Sequence, residues 1–141
     1  MTKVAIGLSL AVRREVSVES GDTMSFADAI KHVLTNYVGF TGRALRSEYW
    51  YWVLFYLVVY FVLFLIDSSV LQMRVLTTLF SLGVLLPAIA VTVRRMHDTD
   101  RSGWWVLLSL VPLVGLVVVY WAAIEGTPGA NRFGPPAPTS A

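Results

Sequence analysis

The chain has 141 residues, of which 56% are hydrophobic and only 14% charged, well below the roughly 25% charge of soluble domains, so a soluble helical core is a poor fit. Its net charge is +2 with cations scattered among acids, and the pI near 9.2 therefore marks no nucleic-acid surface. It contains no cysteine, which excludes disulfides and thiolate metal sites and leaves the redox compartment unreadable.

Residues 1–24 read as a poorly ordered N-terminal extension. Lys3 and the apolar run after it imitate a signal peptide, but Arg13 and Arg14 end that run early and no small-residue cleavage site follows. Met24 stands directly before a helix start, which makes it a candidate native first residue. Residues 25–39 then predict an amphipathic helix. Phe26, Ala29, Ile30, Val33, Leu34, Tyr37 and Val38 follow the i, i+3, i+4, i+7 pattern, Ser25 with Asp28 forms a capping-box start, and Gly39 offers a stop. Next to a transmembrane segment such a helix lies in the interface plane with its apolar face among acyl chains; the other reading docks that face on a partner protein.

Three stretches without a charged residue follow, 49–66, 75–93 and 104–124. At 1.5 Å per helical residue they span about 27 to 32 Å, close to the roughly 30 Å of bilayer hydrocarbon. All five tryptophans, Trp50, Trp52, Trp104, Trp105 and Trp121, fall in the end turns of these stretches, at headgroup depth. The expected fold class is an all-α membrane protein: three transmembrane helices preceded by an amphipathic interfacial helix, with the membrane domain covering 40–135 and a flexible tail at 136–141. Pro87 should kink the second span.

Lys3, Arg13, Arg14, Lys31, Arg43 and Arg46 precede the first span, and Arg94, Arg95 and Arg101 lie between the second and third. The 67–74 connection has one cation and the tail only Arg132, so the positive-inside rule predicts a cytoplasmic N-terminus and an external C-terminus. Pro112 and Gly115 leave room for a re-entrant hairpin in place of the third crossing, which would return the tail inward.

The candidate site is a polar cluster at the predicted cytoplasmic face: Arg43, Arg46 and Glu48 before the first span, and Arg94, Arg95, His97, Asp98, Asp100 and Arg101 after the second. Its charges nearly cancel, which favours mutual pairing that staples helix ends. Arg94 and Asp98 have salt-bridge spacing on a continuing helix, and Ser102 is placed to cap the third span. Two functional readings use the same residues: a metal held by His97, Asp98, Asp100 and Glu48, or phosphate held by Arg43, Arg46, Arg94 and Arg95. No nucleophile motif, phosphate loop or paired metalloprotease histidines appear, so neither catalytic residues nor a cofactor are expected.

Three motifs carry a resemblance: Phe40-Thr-Gly-Arg-Ala-Leu-Arg-Ser-Glu-Tyr-Trp50, then Arg94-Arg-Met-His-Asp-Thr-Asp-Arg-Ser-Gly-Trp-Trp105, then Gly126-Thr-Pro-Gly-Ala-Asn-Arg-Phe-Gly-Pro135. In this order the chain resembles domain-of-unknown-function family 805, small bacterial inner-membrane proteins. The resemblance implies a multi-pass protein of the bacterial inner (plasma) membrane and an ordered 126–135 turn, with Asn131 or Arg132 returning to the membrane surface or the first outer loop. It brings no activity, substrate or catalytic residue.

Two functional classes follow. The first is a structural, interaction or accessory membrane protein whose cytoplasmic polar face engages membrane lipids, a membrane-protein partner or further copies of itself. The second is a small homo-oligomeric transporter or channel for a neutral or apolar solute, since the spans hold no ionisable residue for an ion or proton relay. A membrane enzyme using His97 and Asp98 ranks below both.

Overall fold

A computed structural model describes residues 2–9 and 23–139. Of the expected N-terminal extension, 2–9 is an exposed helical stretch and 10–22 lies outside the described residues.

Helix α1 (Phe26–Thr35) starts where Ser25 Oγ accepts from the Asp28 N–H at 3.2 Å. It buries Ala29 and Val33, four residues apart on one face, against α2 (Arg46–Ile66). It ends at Thr35, earlier than the apolar pattern implied, because the Asn36 side chain donates back to His32 O at 2.8 Å. Met24 is buried with Ala29, Leu45 and Ala137, so packing extends to residues on both sides of the expected motif region.

Helix α2 has 21 residues, about 31 Å of rise, enough for a bilayer. A π-helical turn, Asp67–Leu71, prolongs it, and the apolar helix Arg46–Leu71 has only 6% of its most apolar stretch buried. Leu57, Val58 and Phe61 point outward, as a lipid-facing helix requires. Gln72, at φ 52, reverses the chain, and the buried Asp67 carboxylate accepts from Leu76 N (3.1 Å), Thr77 N (2.9 Å) and Thr77 Oγ1 (2.9 Å), which caps the next helix.

That helix is broken. α3 (Val75–Gly83) and α4 (Leu85–Asp98) are bent by 44° at Val84, and together they are long and apolar enough for a second crossing. Pro87 is the cause: it has no N–H for the carbonyl four residues back, Gly83 O. The Tyr37 hydroxyl, reaching from beyond α1, donates to that freed carbonyl. α4 then continues to Asp98, five residues past the charge-free stretch, carrying Arg94 and Arg95 inside the helix.

The expected third transmembrane helix at 104–124 is not formed as one helix. A 3-10 segment, Gly103–Leu110, capped by Ser102 Oγ at 3.4 Å from Trp104 N, leads into a turn and then α5 (Gly115–Ala123). The two limbs fold back on each other: the Trp105 and Trp121 rings meet edge to face at 5.7 Å. The residues at the turn explain it. Val111 is extended, as a residue before proline must be; Leu113 takes φ 68; and Gly115 sits so close that a Cβ would stand 3.0 Å from Ser109 Cα. With 8 and 9 residues, the limbs rise about 16 Å and 14 Å, each roughly half a bilayer.

The hairpin brings the tail back. Residues 126–135 pack on the end of the bundle formed by the start of α2 and the end of α4, closed by the Asn131–Gly134 bridge. The expectation that the tail emerges opposite the arginine-rich segments is thereby corrected: Arg43 donates to Thr127 O, and Asp98 O accepts from Thr127 N at 2.7 Å.

Candidate functional site

Two buried ionic groups occupy this end of the bundle. The first centres on Asp98, in the last turn of α4. Arg43 Nε donates to Asp98 Oδ1 at 2.9 Å and Arg95 Nη1 to Asp98 Oδ2. The rest of each guanidinium meets backbone carbonyls. Arg43 reaches Thr127 O and Gly129 O at 2.5 Å each. Arg95 reaches Ala44 O (2.9 Å), Ala122 O (3.0 Å) and Ile124 O. Ala122 belongs to the last turn of α5, whose carbonyls have no partner within the helix, so Arg95 acts as that helix's cap. A planar fork of five donors suits such divergent acceptors; an ammonium does not.

The second group joins three helices. Glu48, in the first turn of α2, accepts from Arg94 Nη1 of α4 at 2.7 Å and from His32 Nδ1 of α1 at 2.6 Å. Glu48 complements the dipole of α2, as an acid in that helix's first turn. Glu48 Oε2 and Arg94 Nε and Nη2 are buried with no protein partner among the described residues.

Arg94 therefore pairs with Glu48, not with Asp98 as the four-residue spacing implied; α4 turns Arg94 toward α1 and α2, while Arg95 and Asp98 face the tail. The four arginines do not form one phosphate clamp. Arg43, Arg94 and Arg95 are at most 4% exposed, and Arg46 lies apart, 3.8 Å from Glu125. Nor do His97, Asp98, Asp100 and Glu48 converge: among the described residues no group of three or more His, Cys, Asp or Glu is arranged to hold a metal. His97 Nδ1 donates to Gly42 O at 2.8 Å, and its ring stacks on Phe133 at 4.0 Å. At the rim, Asp100 pairs with Arg132 at 3.3 Å, and Arg101 lies 4.6 Å over the Trp121 ring.

Several residues of this assembly lay outside the sequence-derived cluster. Asn131 donates to His97 O at 2.9 Å, so the 126–135 turn returns to the second polar loop and not to the first outer one. Gly126 lies so tightly on Asp98 that a Cβ would fall 1.9 Å from Oδ2. His32 had a readable signal: between Ala29 and Val33 it interrupts the buried face of α1, where a polar group needs a partner.

The chain matches the family model described as protein of unknown function (DUF805) over residues 37–135. It is similar to the Escherichia coli (strain K12) inner membrane protein YhaH, 50% identical over 109 residues covering 73% of this chain and 90% of that protein. The inner membrane protein YhaI of the same strain is 46% identical over 104 residues, covering 72% and 88%. The uncharacterized protein YiiR is 38% identical over 89 residues, 62% of this chain and 59% of that one. No solved structure matches. All three sequence motifs, and with them Arg43, Glu48, Arg94, Arg95 and Asp98, fall inside the matched region, and the chain belongs to the DUF805 family.

Proposed function

We propose that this chain is a non-catalytic protein of the bacterial inner membrane, a structural or accessory unit whose polar end is locked internally and offers its rim to lipid headgroups. The observation that carries this is the burial of Arg43, Arg94 and Arg95 against the protein's own carboxylates and carbonyls. Such groups stabilise an arrangement of helices, and the donors left over, Arg94 Nε and Nη2, are buried out of a substrate's reach. The names of the two inner-membrane relatives and the outward-facing α2 support the location. The positive-inside rule puts the arginine-rich end in the cytoplasm. With two crossings and a re-entrant hairpin, both the α1 side and the tail then face the cytoplasm.

What this end presents to the membrane surface is Lys31, Arg46 and Arg132, with Trp50 near Arg46. Cations at a membrane surface attract anionic headgroups at about 1 kcal/mol each. Native mass spectrometry of protein released from bacterial membrane with its lipids retained tests this. Bound anionic phospholipid is expected, diminished in a Lys31→Ala, Arg46→Ala, Arg132→Ala triple variant of unchanged stability. Protein that carries no anionic lipid, or a variant that keeps as much as the parent, would overturn the headgroup reading.

A further inference from the structure

One ring nitrogen beside the ionic groups makes no bond to the protein among the described residues. His97 is 8% exposed, and because Nδ1 faces a carbonyl, which only accepts, that nitrogen carries the proton. The neutral ring's lone pair is then on Nε2, which has no protein partner among the described residues. Nε2 faces the start of the hairpin: a Cβ on Gly103 would stand 3.4 Å away. It opens into a cavity of about 430 Å³ between α4 and the 3-10 limb, within the usual size range for small-molecule sites.

The cavity is built like an amphiphile. Its α4 wall is His97, Val93 and Ile89, one helical face that descends from the polar end by about 12 Å toward the bilayer centre. Val106 and Leu107 of the 3-10 limb make the opposite wall, and glycine at 103 keeps the walls together, since a Cβ there would stand 2.6 Å from Val93 Cγ1. The lining side chains that carry polar atoms, His97, Ser102 and Trp104, all stand at the headgroup end; the Ser102 oxygen accepts from Trp104 N and its hydroxyl proton remains available. No Asp, Glu, Lys or Arg lines it.

We infer that this cavity binds an uncharged lipid alcohol, with the ligand hydroxyl donating to His97 Nε2, an ester or second oxygen accepting from Ser102, and one chain lying along Val93 and Ile89. An anionic headgroup is unsuited, because Nε2 turns a lone pair toward it and no cation lines the cavity to balance its charge. A pure hydrocarbon would leave Nε2 unpaired in an apolar wall, at a cost that a hydroxyl removes. The inference rests on the membrane placement proposed above, but short-chain lipids in detergent read the cavity whatever the orientation of the chain.

The test uses the full chain in detergent with dioctanoylglycerol, its acetyl-capped analogue and dioctanoyl phosphatidic acid, followed by native mass spectrometry and by the ¹⁵N shift of His97 Nε2. Dioctanoylglycerol is expected to bind one per chain and to move the Nε2 resonance, with the capped analogue about tenfold weaker, the loss expected for one neutral hydrogen bond. Leu107→Trp, which fills the cavity from an exposed position and leaves every ionic contact intact, should abolish binding at unchanged thermal stability. His97→Phe should bind the alcohol and the capped lipid alike; if it fails to fold, the Leu107 variant carries the test. Equal binding of the capped or the phosphate lipid by the parent, no adduct at all, or full binding by Leu107→Trp would each overturn the assignment.

Discussion

Arg95→Ala is the most informative single substitution. The side chain is fully buried, and its removal strips Asp98 of one of two cations and leaves Ala44 O, Ala122 O and Ile124 O without their donor. Breaking a buried ion pair costs about 3–5 kcal/mol; since Arg43 still holds Asp98, the lower end applies. Each buried carbonyl left unpaired adds about 1 kcal/mol at the low end of the measured range. The expected loss is on the order of 6 kcal/mol, comparable with the ~5–15 kcal/mol that holds a whole domain folded. Arg95→Lys separates shape from charge: an ammonium can stay with Asp98 but cannot reach three divergent carbonyls, so about half the loss should remain. Unfolding by dodecyl sulfate in mixed micelles, read by the tryptophans, measures both, with the exposed Arg132→Ala as a control expected below about 1 kcal/mol. An Arg95→Lys variant within about 0.5 kcal/mol of the parent would refute the argument that the guanidinium fork is what this position needs.

Three further outcomes follow from the same contacts. A double-mutant cycle on Glu48→Ala and Arg94→Ala should show a coupling of about 1–3 kcal/mol, whereas the Arg94 and Asp98 pair should be close to additive. Gly126→Ala puts a Cβ on Asp98 Oδ2 and should unseat the tail, read as faster proteolysis beyond Ile124; an unchanged digestion rate would contradict the tight seating. Asp67→Ala removes three bonds that start α3 and should cost about 1–2 kcal/mol in the micelle unfolding assay, while a neutral effect would show that water replaces the cap.

The helices were legible where their signal is local. The spacing of Ala29 and Val33 gave the buried face of α1, Ser25 gave its cap, and Pro87 gave the bend between α3 and α4. The third span was misjudged because absence of charge measures how apolar a stretch is, not whether its backbone is continuous; Pro112 and Gly115 were visible, but their effect depends on the neighbouring limb. At the polar end the residue types pointed to pairing, yet the partners are set by rotation around α4, which sends Arg94 one way and Arg95 the other. Arg43 meets carbonyls more than eighty residues away, and a carbonyl carries no sequence signature at all. The lone pair of His97 was likewise hidden, since it is defined by the hydrogen bond on the other nitrogen.

The return of the tail to the arginine-rich end is the central claim, and topology reporters test it most directly. A fluorescent reporter that matures only in the cytoplasm and a phosphatase active only outside it would each be fused after Ala141, with matching fusions after Gln72 in the connection between α2 and α3. The account predicts bright, phosphatase-negative fusions at the C-terminus and the reverse at Gln72. A C-terminal fusion that is dark and phosphatase-positive would restore three full crossings and contradict the hairpin.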